Sequence, residues 1–383
     1  MNVETFNYSP ESLAPFFYLN KRDRKNIYIF STEKEALEFY NNFSNFVPEA
    51  SHFPAWDTLS YDSFTPSLEI QGKRLQTLHN LLVMESFDIA MSMKSFTQKI
   101  FINGLDVIDM QIGQEVDFEN LIENLAFLRY VNKDRVESRG TFSIRGGQID
   151  IYPLNSEYPI RIIFNGDEVV ELKLFDYITQ RSIKNIKKVL ITPSSELFQT
   201  NQEDIYKSLE IESKKDLDEY ELFQFSQNLE NFKSLLDFVP DDISINIIDL
   251  NSCKEVFTEL QKIEDDSFNN LKKFFSLNVS KMKSRYVDTL KEINKFETIF
   301  YATNDLENIS NVPQFLDGLS ADNVLQKINN LAKVYLSSSN EKITEKFSGI
   351  ANLQIAEHSF SYSAVFPEMS IAVIDESLFT NRK

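Results

Sequence analysis

The chain has 383 residues, 42% hydrophobic and 25% charged, which excludes a wholly disordered polypeptide and points to two to four domains of ordinary size. Its 58 acidic and 39 basic residues leave a net charge of −19, so its surface as a whole repels nucleic acid. A single cysteine, Cys253, excludes an intrachain disulfide and a cysteine-based zinc site, and no apolar run reaches the roughly 18 residues of a membrane helix. The first residues lack a basic segment followed by an apolar one, so the cytoplasm is the expected compartment.

The first hundred residues read as alternating strands and helices, the pattern of a parallel sheet. Ile27–Phe30 is a short buried-type strand, and Thr32-Glu-Lys-Glu35 has the form of a capping box that opens a helix to about Phe43. Ser51–Asp57 reads as a loop. A helix is expected from Ser67, with Leu68, Leu75, Leu78 and Leu82 at helical spacing, and a strand over Phe87–Met93.

The middle of the chain changes character. Asp117 caps a helix to about Leu128, followed by strands expected over 140–145, 148–152, 159–164, 168–175 and 188–191. Asn165-Gly166 between two alternating runs signals a hairpin, and Pro153 and Pro193 mark strand ends. Four of nine glycines lie between Gly140 and Gly166. Residues 129–188 carry 11 basic and 8 acidic side chains, whereas residues 201–270 carry 6 basic and 18 acidic. Six of the eleven arginines (Arg129, Arg135, Arg139, Arg145, Arg161 and Arg181) fall in this middle stretch. They form either a solvated basic face or a docking patch, arginine being the cation suited to bidentate recognition.

After Pro193 the α/β rhythm returns. Strands are expected over 244–249, 298–302, 333–336, 353–356 and 371–375, with helices from Ser252 and from a cap at Asn340.

Motifs for catalysis are missing. The only Gly-Lys pair, Gly72-Lys73, has Ser67 where a phosphate loop needs its first glycine and Arg74 where it needs Ser or Thr. Cys253 reads as a small packed hydrophobe rather than a nucleophile, and His52 and His79 as surface or loop residues; His358 stands far from both. Trp56 reads as a loop anchor packed on the core. No cofactor, no metal and no enzymatic activity are expected of this chain.

Two segments carry a family resemblance. Phe53-Pro-Ala-Trp-Asp-Thr-Leu-Ser-Tyr-Asp62, Ser63-Phe-Thr-Pro-Ser67, Glu69-Ile70 and Arg74-Leu75 resemble the N-terminal part of the bacterial transcription-repair coupling factors, Mfd. Arg139-Gly-Thr-Phe-Ser-Ile-Arg-Gly-Gly-Gln-Ile-Asp-Ile-Tyr-Pro153, Pro159–Phe164, Gly166-Asp-Glu168 and Phe175-Asp176…Thr179-Gln-Arg-Ser182 resemble the block shared by Mfd and the excision-repair protein UvrB. Mfd is the nearer likeness, since UvrB carries a phosphate loop near its N-terminus. The resemblance implies an α/β fold with a discontinuous, degenerate helicase-like (RecA-like) parallel-sheet domain, residues 1–110 and 192–305. It implies an inserted β-rich UvrA-binding domain, residues 111–191, and a small α/β domain, residues 306–383. It implies a non-catalytic module that recruits UvrA and restrains the parent protein's motor. RNA polymerase and double-stranded DNA would be partners through domains outside this sequence. The family's UvrA-contacting arginines fall on Arg145 and Arg161; its neighbouring aromatic falls on Asn165, after Phe164, a departure from the pattern. The alternative functions are a UvrB-like binder of damaged DNA and an ATP-driven translocase whose motor lies elsewhere.

Overall fold

A computed structural model of the chain describes residues 2–4, 10–21, 23–61, 64–101, 105–210, 217, 219–271, 284–301, 314–317, 319–356, 359–360, 362–367 and 369–380. His358, Asp62, Ser63, Ala302 and the expected boundary at 305–306 lie outside the described residues.

In chain order, β1 (Asn2–Glu4), α1 (Leu13–Asn20), β2 (Lys25–Phe30), α2 (Glu33–Phe43), β3 (Ser51–Phe53), α3 (Leu68–Val83), β4 (Phe87–Ser92), α4 (Met93–Thr97) and β5 (Ile100–Phe101) come first. The capping box forms as its residues dictate: the Thr32 side chain accepts from the Glu35 N–H, and Glu35 accepts from the Thr32 N–H. Ser67 N-caps α3. The segment expected as a loop contains β3, a three-residue edge strand whose brevity hides any alternation and whose partner, β4, supplies the pairing. His52 therefore sits on a strand beside Glu33, 3.1 Å away, and His79 within helix α3; neither is a loop residue.

The middle of the chain builds β6 (Ile108–Gln111), α5 (Phe118–Phe127), β7 (Val131–Asn132), β8 (Thr141–Ile144), β9 (Gln148–Ile151), β10 (Ile160–Asn165), β11 (Glu168–Phe175), β12 (Ser182–Ile186) and β13 (Lys188–Ile191). β12 was not expected, because Ser-Ile-Lys-Asn-Ile has little alternation and lies at a sheet edge, exposed over most of its length. Then follow α6 (Gln202–Leu209), α7 (Glu219–Phe225), β14 (Phe232–Lys233), β15 (Ser244–Ile248), α8 (Leu250–Leu271) and β16 (Glu297–Tyr301). The last elements are β17 (Gln314–Phe315), α9 (Ala321–Ile328), β18 (Lys333–Ser337), α10 (Glu341–Phe347), β19 (Leu353–Ile355), β20 (Ala364–Phe366), β21 (Ile371–Asp375) and α11 (Ser377–Thr380).

The fold is mixed α/β. One six-stranded sheet runs β1-β16-β15-β2-β4-β3, all parallel, and takes strands from both sides of the middle segment. Parallel sheets are covered on both faces, and alternate residues serve the two sides here. Ile27, Ile29, Ile89, Met91, Ile245 and Ile247 belong to one core cluster, while Tyr28, Phe30, Ala90 and Ile248 belong to another with α1, α2 and parts of the C-terminal segment. Cys253 is fully buried in the first cluster, and burial pushes its thiol up to about 12, so it is a packing residue. The middle segment forms a second six-stranded sheet, β12-β11-β10-β9-β8-β7, and the C-terminal segment a third, β17-β20-β21-β18-β19. Among the described residues no helix is long and apolar enough to cross a membrane.

Gly72 explains itself once the fold is seen. It lies inside α3, where glycine costs about 1 kcal/mol relative to alanine. A Cβ at this position would stand 2.3 Å from the Leu154 carbonyl oxygen, just beyond β9. The glycine lets the helix lie flat against the backbone of the middle segment, a packing role rather than a phosphate-binding one. Gly72→Ala is expected to destabilise the chain by about 1–3 kcal/mol through this overlap, despite alanine's better helix propensity. Urea unfolding measures it, and an unchanged or raised midpoint would refute the close-approach account.

Candidate docking sheet

The middle sheet is built from hairpins whose turns follow from the sequence. Arg145 and Gln148 exchange backbone hydrogen bonds around Gly146-Gly147, and Gly146 has a φ of +60° that glycine adopts without strain. Asn165 pairs with Glu168 around Gly166-Asp167, with Gly166 at φ +62°. One face of the sheet is apolar: Phe142, Ile149, Ile151, Ile160, Ile162, Phe164, Val169 and Leu172 pack under Leu121 and Leu125 of α5.

The other face is polar and in register. Ser143, Asp150, Arg161, Lys173 and Asn185 stand opposite one another across five strands. Asp150 is the hub. It accepts from Arg161 Nε and Nη2, both at 2.8 Å, and from Gln148 Nε2 at 2.9 Å. The Asp150 side chain is only 4% exposed and that of Arg161 18%. The hydrogen bonds to Asp150 raise the Arg161 pKa further above its usual value. The guanidinium also lies over the Phe175 ring at 4.7 Å. Lys173 pairs with Glu171. Residues from the 133–139 segment cover part of this face: the Asp134 carbonyl accepts from Ser143 Oγ and from Arg145 Nη2, and Val136 packs with Tyr152 and Phe175.

The four candidate residues are thus placed differently. Arg145 is exposed, with one N–H donated to the Asp134 carbonyl at 2.8 Å. Asn165 is exposed at the hairpin tip. The Phe164 N–H donates to the Gly147 carbonyl at 2.8 Å, which brings the Arg145 turn and Asn165 to one end of the sheet. Arg161 shares their face, one pleat repeat from Arg145 and two from Asn165, but is held by Asp150 within the sheet. Phe164 points to the core, 8% exposed, edge-on to Phe118 at 5.1 Å. Of the other clustered arginines, Arg129 donates to the carbonyls of Phe198 and Thr200, Arg135 to those of Tyr177 and Ile178, and Arg139 to that of Ser156. Sequence reasoning missed the Asp150–Arg161 pairing; the signal was there in the lengths of the two strands on either side of the Pro153–Pro159 connection.

A second feature lies in the parallel sheet. A cavity of about 340 Å³ opens at the carboxyl ends of β2 and β15, between Phe30-Ser31 and Ile248-Asp249. The crossovers that leave these neighbouring strands run in opposite directions, to β3 and to β16, which is where open α/β sheets hold their ligands. Its lining includes Glu11, Glu35, Glu38 and Asp249, and no Lys or Arg among the described residues.

Residues 108–197, which hold this sheet and its helix, match the family described as the UvrB interaction domain. Over a longer stretch the chain is similar to transcription-repair-coupling factors. That of Escherichia coli K12 is 29% identical over 168 residues, 43% of this chain and 14% of the relative. That of Bacillus subtilis is 26% identical over 252 residues, 57% of this chain and 21% of the relative, and that of Staphylococcus aureus MRSA252 is 25% identical over 268, 62% and 22%. The chain therefore spans about a fifth or less of the length of the curated relatives it matches.

Arg161→Ala is expected to lower stability by about 1.5–3 kcal/mol, the usual worth of hydrogen bonds to a charged group, because Asp150 keeps only Gln148 as its side-chain donor among the described residues. Urea denaturation tests it; a wild-type midpoint would mean that the ion pair is ornamental to the sheet.

Proposed function

We propose that this chain is the UvrA-recruiting, non-catalytic module of a transcription-coupled excision repair factor, working in the cytoplasm. The observation that carries the reading is the coincidence of the 108–197 family match with a self-contained sheet. That sheet presents an exposed arginine, Arg145, beside a hairpin tip on a segment of net positive charge in an acidic chain. UvrA docks on the turn end of the sheet, with Arg145 as the cation that pairs with a partner carboxylate and Asn165 at the rim. Arg161 acts as a positioning residue, since Asp150 already uses its planar fork. Phe164 supports the tip from beneath.

In the same reading, residues 1–110 and 192–305 form one degenerate, RecA-like body into which 111–191 is inserted, and 306–383 form a small α/β domain. The parallel sheet with strands from both sides of the insertion supports this. The body binds no nucleotide: its cavity at the strand ends is lined by four carboxylates, which repel phosphates, and Gly72-Lys73 lies within a helix. RNA polymerase, DNA and the motor that the module restrains belong to the rest of such a factor.

Arg145→Ala is expected to weaken binding of cognate UvrA by roughly tenfold or more, the cost of truncating one member of a desolvated charge pair being about 2–5 kcal/mol, with no change in melting temperature. Surface plasmon resonance with immobilised UvrA measures it, and wild-type affinity would overturn the docking assignment. Calorimetric titration with Mg-ATP is expected to give no heat of binding; a micromolar dissociation constant would sink the non-catalytic reading.

A further inference from the structure

The edge of the middle sheet farthest from Arg145 carries a second feature. β12 ends the strand order and, among the described residues, pairs only with β11, so one side of its backbone has no sheet partner there. Such an edge is a template for one more strand. From Arg181 to Lys188 the chain has four cations, Arg181, Lys184, Lys187 and Lys188, and no carboxylate. All four are exposed, and no ion pair or side-chain hydrogen bond is recorded for them among the described residues. This is unlike the remaining clustered arginines, each of which is held by a carbonyl or carboxylate. Two large apolar side chains stand exposed beside them, Ile183 at 51% and Ile178 at 67%.

We propose that β12 accepts an extended acidic segment of a partner protein as a seventh strand. Backbone hydrogen bonds along Ser182–Ile186 provide the affinity. Lys184, with Arg181 and Lys187 at the two ends of the strand, selects glutamate- or aspartate-rich sequence, and the exposed Ile183 selects an apolar residue. A second copy of this chain is excluded as the occupant by charge: edge-to-edge pairing of two β12 strands sets lysine against lysine. Charge at an edge also serves to keep unrelated strands away, but that role alone gives no reason to leave Ile183 and Ile178 in water. Duplex DNA would use the cations and leave the backbone edge and both isoleucines idle. The site is about four strand spacings, roughly 19 Å, from β8, so it stands apart from the UvrA reading and neither depends on the other.

The test uses the full chain and three synthetic peptides: one of alternating glutamate and valine, its lysine-for-glutamate counterpart, and a version of the first with prolines at the valines. Fluorescence anisotropy is expected to show binding of the glutamate peptide only, weakening as salt rises. Hydrogen exchange is expected to slow at the amides of 182–186 when it binds. The double variant Lys184→Glu/Lys187→Glu is expected to lose about tenfold or more in affinity while its melting temperature and UvrA binding stay as in the parent. Equal binding of the lysine or proline peptide overturns the proposal. So does binding without added protection of 182–186, and so does a short duplex DNA that competes the peptide away and binds more tightly than it. A variant that binds the glutamate peptide like the parent also overturns it.

Discussion

A buried charge on Glu196 is the constraint on which the arrangement of the chain depends. Its carboxylate lies just past the middle sheet, fully enclosed, and burial pushes its pKa up while Arg74 and the Trp56 N–H pull it back. Arg74 Nε and Trp56 Nε1 both donate to Oε1 at 2.8 Å. Arg74, itself without exposed surface, also donates to the Pro54 carbonyl and stacks on Phe53 at 4.3 Å and Trp56 at 5.3 Å. Arg285 approaches Trp56 at 5.1 Å. An isolated ion in such a place would cost several kcal/mol, so each member requires the others. The residues come from α3, the loop before it, the exit of the middle segment and a stretch near residue 285. One buried pair thereby fixes how the middle sheet leaves its host.

This gives the Phe53–Ser67 motif a physical meaning. Its tryptophan and its following arginine are structural, not a ligand platform: Trp56 is 1% exposed and edge-on to Phe223 at 5.5 Å. Arg74 and Arg285 inside the body are held by packing, and five of the six clustered arginines of the middle segment donate to a carbonyl or a carboxylate. Arg145 stays exposed although it donates to the Asp134 carbonyl, and Arg181, Lys184, Lys187 and Lys188 are exposed at the edge of the same sheet.

Much of this was legible in the residues. Capping at Thr32, Ser67, Asp117 and Asn340 is local chemistry, and each cap lies where its side chain reaches an N–H two or three residues on. The alternating strands β10 and β11 and the strand ends before Pro153 and Pro193 were equally plain. What stayed hidden was decided across the chain. β3 and β12 are strands because a neighbour pairs with them, not because of their own pattern. Arg161 and Asp150 are partners through register, and Gly72 is a glycine because of Leu154, which no local window contains. The resemblance to repair factors pointed to four residues of the middle sheet; only the structure separates an exposed Arg145 from an engaged Arg161 and a buried Phe164.

The pairing of β6 with β13 has a consequence for how the polypeptide finds its fold. Ile108 stands opposite Ile191, so the two ends of the middle segment meet within one strand spacing. The parallel sheet, by contrast, needs Asn26 beside Ser244, contacts far apart along the chain. Closing a loop costs entropy that grows with the logarithm of its length, and long-range parallel pairing is intrinsically slow. Once the hairpins of the middle segment have formed locally and β6 has met β13, that whole stretch counts as a single short link. The search that unites β2 with β15 is then made by a shorter effective chain.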